Sequence, residues 1–140
     1  MIGRALAAFA LAAALSLTWT SIDGSRAQQP PAPPFKVTPL SKAPLTTDPS
    51  KEVVMIKIEW PANAPTPWHT HPGDEYATVI EGSLITQVEG QEPRTIAAGQ
   101  SYHQPAGVVH MAKTSNTPAT TINVFVVEKD KPLMLPQPGK

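Results

Sequence analysis

From Glu52 onward the chain nowhere keeps a 3.6-residue apolar period long enough for a stable helix; what it keeps is alternation. Val54, Ile56, Ile58 and Trp60 alternate with Met55, Lys57 and Glu59, the period of a half-buried strand. Glycines at 82, 90, 99 and 107 then cut the chain every eight or nine residues. Between these marks a second strand is predicted to end at His71. Others are predicted at about 75–80, 84–89, 94–97, 100–104, 108–114 and 120–128. Short strands, regular turns and no helix predict an all-β sandwich or closed barrel. A length of 140 residues suits one domain. Prolines, 17 in all, gather at the two ends and in the turns, where a missing backbone N–H is tolerated.

The ends read differently from the body. Arg4 precedes an uncharged apolar run, Ala5 to Trp19, which falls short of the roughly 20 residues needed to cross a bilayer. The small-residue site Ser25-Arg26-Ala27 follows, so residues 1–27 are expected to be a secretory signal peptide cleaved after Ala27. The alternative is an uncleaved N-terminal anchor. Residues 28–49 read as a Pro-rich linker (QQPPAPP) and an extended arm able to add an edge strand, 50–131 as the barrel and 132–140 as a Pro-rich tail. The mature protein is expected in the periplasm or secreted, without stable membrane association. With no twin-arginine pair, it is expected to cross the membrane unfolded. The absence of Cys excludes disulfides, thiolate zinc sites, thiol nucleophiles and a lipid-modified N-terminus. A formal net charge of zero, with Lys and Arg scattered singly, argues against a nucleic-acid partner.

Chemistry concentrates at four residues. His69 and His71 are two apart on a strand and leave the same face. His71-Pro72-Gly73-Asp74 fits a type II turn, with Pro72 pre-setting φ and Gly73 supplying a positive φ, which folds Glu75 back towards the histidines. Gln104-Pro105-Ala106-Gly107 is a second turn signature, and His110 follows on the next strand. Three imidazoles and one carboxylate form a mixed N/O set suited to one divalent Fe, Mn, Ni, Cu or Zn ion. Four ligands on one face leave positions for water, substrate or O₂.

These residues carry a family resemblance. The stretch from His69 to Gly82 resembles the first cupin motif: HxH, three residues, Glu75, six residues, Gly82. The stretch from Gly99 to His110 resembles the second: Gly99, five residues, Pro105-Ala106-Gly107, two residues, His110. Two positions depart from the pattern. The leading Gly of the first motif falls on Asn63, and the closing Asn of the second falls on Thr114, with Asn116 two places late. The resemblance implies a single six- to eight-stranded jelly-roll barrel binding a divalent metal on His69, His71, Glu75 and His110. It also implies a homodimer paired through N-terminal strands, here 35–45.

The remaining candidates carry blander readings. His103 reads as a structural hydrogen-bonding residue rather than an acid or base. Tyr76, Tyr102, Trp60, Trp68, Met111 and Phe125 read as barrel filling, and Asp74 as a solvated turn carboxylate. The leading functional expectation is a metal-dependent enzyme acting on a small organic molecule, with Glu75 doubling as catalytic base. By analogy with quercetinase-type relatives, the resemblance leans to oxygen-dependent oxidation. The alternatives are a non-catalytic periplasmic protein binding a metal or small ligand, and a non-redox lyase or isomerase.

Overall fold

The computed structural model describes residues 35–137; the expected signal peptide and most of the Pro-rich linker lie outside the described residues. Every element within them is a strand: β1 Lys36–Leu45, β2 Asp48–Trp60, β3 His69–Thr70, β4 Asp74–Glu81, β5 Ser83–Val88, β6 Arg94–Ala97, β7 Ser101–Gln104, β8 His110–Lys113, β9 Ala119–Glu128 and β10 Leu135–Pro136. They form two five-stranded sheets, β1-β2-β9-β4-β7 and β10-β3-β8-β5-β6, in which all neighbours are antiparallel. This is the all-β jelly roll that the resemblance implies, with ten described strands in place of six to eight because the arm and the tail each add one and short pieces count separately.

Alternation decides which side of each strand meets the other sheet. On β9, Ala119, Thr121, Asn123, Phe125 and Val127 point inward and are buried, while the residues between them are half-buried. Trp60, Val79, Leu84, Ile96, Ala112 and Ala119 form the main apolar cluster, closing one end of the barrel. A second cluster, Ile56, Phe125 and Val127, lies nearer the other end, with Val54, Ile58 and Leu133 packed on it. The space between the clusters is where the polar residues gather.

The two ends of the described chain join the sheets. β1 pairs with β2 from Lys36 opposite Glu59 to Leu45 opposite Asp48, and ion pairs Lys36–Glu59 (2.8 Å) and Lys42–Glu52 (3.0 Å) tie the two strands. From the tail, β10 pairs with β3, setting Leu135 opposite Thr70 and Pro136 opposite His69. A further backbone bond runs from Gln137 N–H to Trp68 C=O (2.8 Å). Among the described residues no helix is long and apolar enough to cross a membrane.

The two departures from the family pattern meet in space. Asn63 takes a φ of 55°, the left-handed conformation that Gly adopts freely and Asn tolerates better than other side chains. Its N–H bonds Ser115 C=O at 2.6 Å, beside the second departure. The buried Thr114 hydroxyl donates to Pro61 C=O (2.5 Å) and accepts from Ala64 N–H (3.0 Å), fastening the same turn. One site thus absorbs both changes.

Candidate metal centre

His69 on β3 and His110 at the start of β8 are direct cross-strand partners, their rings 4.2 Å apart between centroids. His71 follows β3, with its ring 4.9 Å from each of the others. One ring nitrogen from each comes within 4.8 Å of the other two, and all three residues are buried: three histidines placed to hold a metal ion. Glu75 reaches them from the opposite sheet. Its Oε2 lies 3.1 Å from His71 Nε2 and 3.8 Å from His110 Nε2.

The other nitrogen of each ring is committed to the backbone. Nδ1–H of His69 donates to Pro67 C=O (2.8 Å), that of His71 to Leu133 C=O (2.6 Å) and that of His110 to Val108 C=O (3.0 Å). A carbonyl only accepts, so each bond fixes the proton on Nδ1 and turns the Nε2 lone pair inward. In their neutral forms three lone pairs and a carboxylate oxygen converge, and only a proton shared between His71 Nε2 and Glu75 Oε2 (3.1 Å) relieves their repulsion. A divalent cation is the group that such a set fits.

Electrostatics follow from this geometry. Burial pushes His69 down to about 4, helped by His110 and His71 and opposed by its bond to Pro67. Burial likewise lowers His110. For His71 burial is outweighed by the hydrogen bond and charge of Glu75, so its pKa is raised. Glu75 is deeply buried, yet its bonds to His71 and Asn123 hold it below the usual carboxylate range. Its second oxygen, Oε1, accepts from Asn123 Nδ2 (2.7 Å), Asn123 Oδ1 accepts from Thr121 (2.6 Å), and Thr121 Oγ1 accepts from Trp60 Nε1 (3.0 Å). A polar line thus crosses the barrel and ends on the carboxylate.

The turn before Glu75 corrects one expectation. Gly73 does not take a positive φ. A Cβ there would run into the backbone carbonyl of Val126, so glycine is needed for close approach to β9 rather than for a type II turn. The second turn forms one residue on from the expected 104–107: Gly107 takes a φ of 75° in a turn closed by Val108 N–H to Pro105 C=O (3.3 Å). That turn also docks on the first motif, through Gly107 N–H to His71 C=O (2.9 Å) and Ala106 N–H to Asp74 Oδ1 (3.1 Å). Asp74 is therefore a brace between the two turns.

His103 stands away from the centre, half-exposed on β7, stacked on Tyr76 at 4.5 Å with Asp74 3.5 Å away. Tyr102 points inward, and burial raises its pKa well above the usual phenol. Trp60 and Phe125 serve both as core and as walls of a cavity of about 300 Å³ that opens on the histidines. The sequence reading missed Asn123, Leu133 and Met134. For Asn123 a signal existed, since a polar residue in inward register on β9 asks for a buried partner. For the tail residues there was none.

Residues 57–125 match the cupin domain family. The rhicadhesin receptor of Pisum sativum is 37% identical over 79 residues, 52% of this chain and 36% of that protein. Dimethylsulfoniopropionate lyase DddQ of Ruegeria pomeroyi is 28% identical over 69 residues, 49% of this chain and 34% of that protein. The chain thus spans about a third of the length of these curated relatives. The crystal structure of that lyase superposes with a TM-score of 0.62 at 21% identity, covering 76% of this chain and 53% of that one. Oxalate oxidase in complex with glycolate gives 0.55 at 22% identity, covering 72% and 54%. Residues 57–125, which carry the three histidines and Glu75, are a cupin domain.

Proposed function

We propose that this protein holds one divalent metal ion on His69, His71, Glu75 and His110 and acts with it as an enzyme on a small organic molecule, by oxygen-dependent oxidation. The observation that carries the reading is the fixed tautomer of all three histidines. Each Nδ1–H is spent on a backbone carbonyl, so each Nε2, that of His71 once it gives up the proton it shares with Glu75, turns a lone pair to one point beside Glu75 Oε2. The bound ion would supply Lewis-acid chemistry or, if redox-active, electron transfer to O₂.

The protein residues divide the remaining work. Asn123 keeps Glu75 Oε1 occupied, so Oε2 is the oxygen that would hold the ion and, on loosening from it as substrate binds, take a proton from substrate. The apolar walls exclude water, and Tyr102 closes the cavity beside Glu75. Substrate enters a space of about 300 Å³, at the lower end of the usual range for small-molecule sites. On this reading the work is done outside the cytoplasm, after removal of residues 1–27.

The test combines metal analysis with turnover. Protein isolated from its native compartment should carry about one divalent ion per chain. His69→Ala and His110→Ala should lose most of it, whereas His103→Ala should keep it. Glu75→Gln should lower oxygen consumption more than metal content on any substrate the wild type accepts. Equal metal retention in all three histidine variants would overturn the site. A second reading draws on the likeness to a lyase in both sequence and fold. A native protein filled with zinc alone would favour it, with Glu75 again as base.

A further inference from the structure

The cavity beside the histidines is chemically lopsided. Its polar lining gathers around the histidines: Glu75 bonds His71, Asn123 bonds Glu75, the Tyr102 hydroxyl interacts with both Asn123 and Glu75, and Thr66 is the one further polar residue among those described. The rest is walled by Ile56, Ile58, Trp60, Phe125, Leu133 and Met134, and no Lys or Arg is among the described residues that line it. Val37 and Met134 line it too and are 52% and 40% exposed, so the mouth is rimmed by apolar side chains. Both come from the ends of the described chain, Val37 from β1 and Met134 from the tail before β10.

Charge narrows what fits. Three neutral imidazoles, one carboxylate and one divalent ion sum to a single positive charge. One carboxylate, enolate or phenolate on the ligand balances it. A second anionic group would lie against the apolar wall, stripped of water and without a partner, which is costly. A polyol would lose its hydration in the same way. An apolar body instead gains by leaving water, and the volume holds the equivalent of about ten water molecules.

We propose that this cavity selects a ligand with one oxygen-bearing chelating head, at most one negative charge and an uncharged apolar body, and that it discriminates against dicarboxylates and sugars. The inference rests on the metal reading above for the head and on the wall alone for the body. Met134, at the rim, is the specificity-determining side chain.

The test uses full-length metal-loaded protein and measures binding by calorimetry. Glycolate, lactate, 2-hydroxybutanoate and 2-hydroxyhexanoate share one head and differ only in apolar length. Affinity should rise about fourfold per added methylene. 2-Hydroxyglutarate should bind at least about tenfold more weakly than 2-hydroxy-5-methylhexanoate, which replaces its far carboxylate by an isopropyl group of the same shape. Met134→Lys, a change at an exposed position, should narrow or reverse that preference. A series whose binding needs metal but is flat in length, or a preference for 2-hydroxyglutarate in the wild type, overturns the apolar slot and leaves the metal centre standing. Binding of the series unchanged by metal stripping and by His69→Ala overturns the metal-held head, while the slope with length still reports the wall.

Discussion

His71 differs from its two neighbours in what it shares with Glu75, and the difference has a measurable sign. Its pKa is raised by the carboxylate of Glu75, so it keeps a proton on Nε2 to higher pH than a free imidazole, and an incoming ion must displace that proton. Metal affinity should therefore climb as pH rises through that raised value, with about one proton released per ion, and fall below it. His69 works the other way. Its folded value of about 4 lies below the ordinary 6.5, so only the unfolded chain takes up a proton between these values. Its contribution to metal-free stability is full above about 6.5 and lost as pH falls towards 4. Calorimetry in buffers of different ionisation enthalpy measures the released protons, and an affinity independent of pH would contradict the assignment. Gly73 offers a second check. Gly73→Ala should destabilise the fold by about 1–3 kcal/mol through the clash with Val126, read by denaturant titration. The histidine spacing was legible in the sequence because period-2 geometry is local. The reason for Gly73 was not, because a Pro-Gly pair looks the same whether it serves a turn or a close approach from β9.

At the level of elements, hidden dependence lies in the tail. Residues 132–137 read from sequence as a Pro-rich stretch, yet they pair with β3 and supply the carbonyl that fixes the His71 tautomer. No periodicity announces a two-residue strand, and a backbone carbonyl has no residue type to recognise. Deleting residues 132–140 should weaken metal binding about tenfold or more, the usual effect of losing a partner that orients a ligand. Metal titration with circular dichroism as a fold check tests this, and unchanged affinity in a folded variant would refute it. The Asn63–Thr114 pair gives the complementary case. Thr114→Ala leaves Pro61 C=O and Ala64 N–H without their side-chain partner and should cost about 1–3 kcal/mol. Asn63→Gly should cost little, since glycine takes the φ of 55° without strain. The main strands were legible to within a few residues. β3 ends at Thr70, one residue before the expected His71, and β8 is His110–Lys113 where 108–114 was expected, because turns docked on each other occupy their ends.

Across the whole molecule the centre is a bridge. His69 and His110 belong to one sheet and Glu75 to the other, so an ion held by all of them fastens the two layers together. Because such an ion binds the folded chain and not the scattered ligands of the unfolded one, it should stabilise by about 2.7 kcal/mol at a hundredfold excess over its Kd. Thermal unfolding with and without metal measures this, and His69→Ala should abolish the difference. Export is tested separately. Intact mass of the protein from the periplasm should place its first residue at or near Gln28, and a retained Met1 in the membrane fraction would refute the signal-peptide reading.

The polar line from Trp60 through Thr121 and Asn123 to Glu75 runs in one direction, every hydrogen pointing at the carboxylate. It begins at an indole N–H, which has no lone pair with which to receive a hydrogen. As a route for acid it is a cul-de-sac. On the proposed reading, a proton that Glu75 takes from a bound molecule cannot leave along this line and faces only the cavity and the histidines beside Oε2. On the non-redox reading proposed above, a lyase or isomerase reaction should therefore hand the same hydrogen back in part to the departing product. Isotope placed at the abstracted position should be retained in part, where an open relay would wash it into solvent.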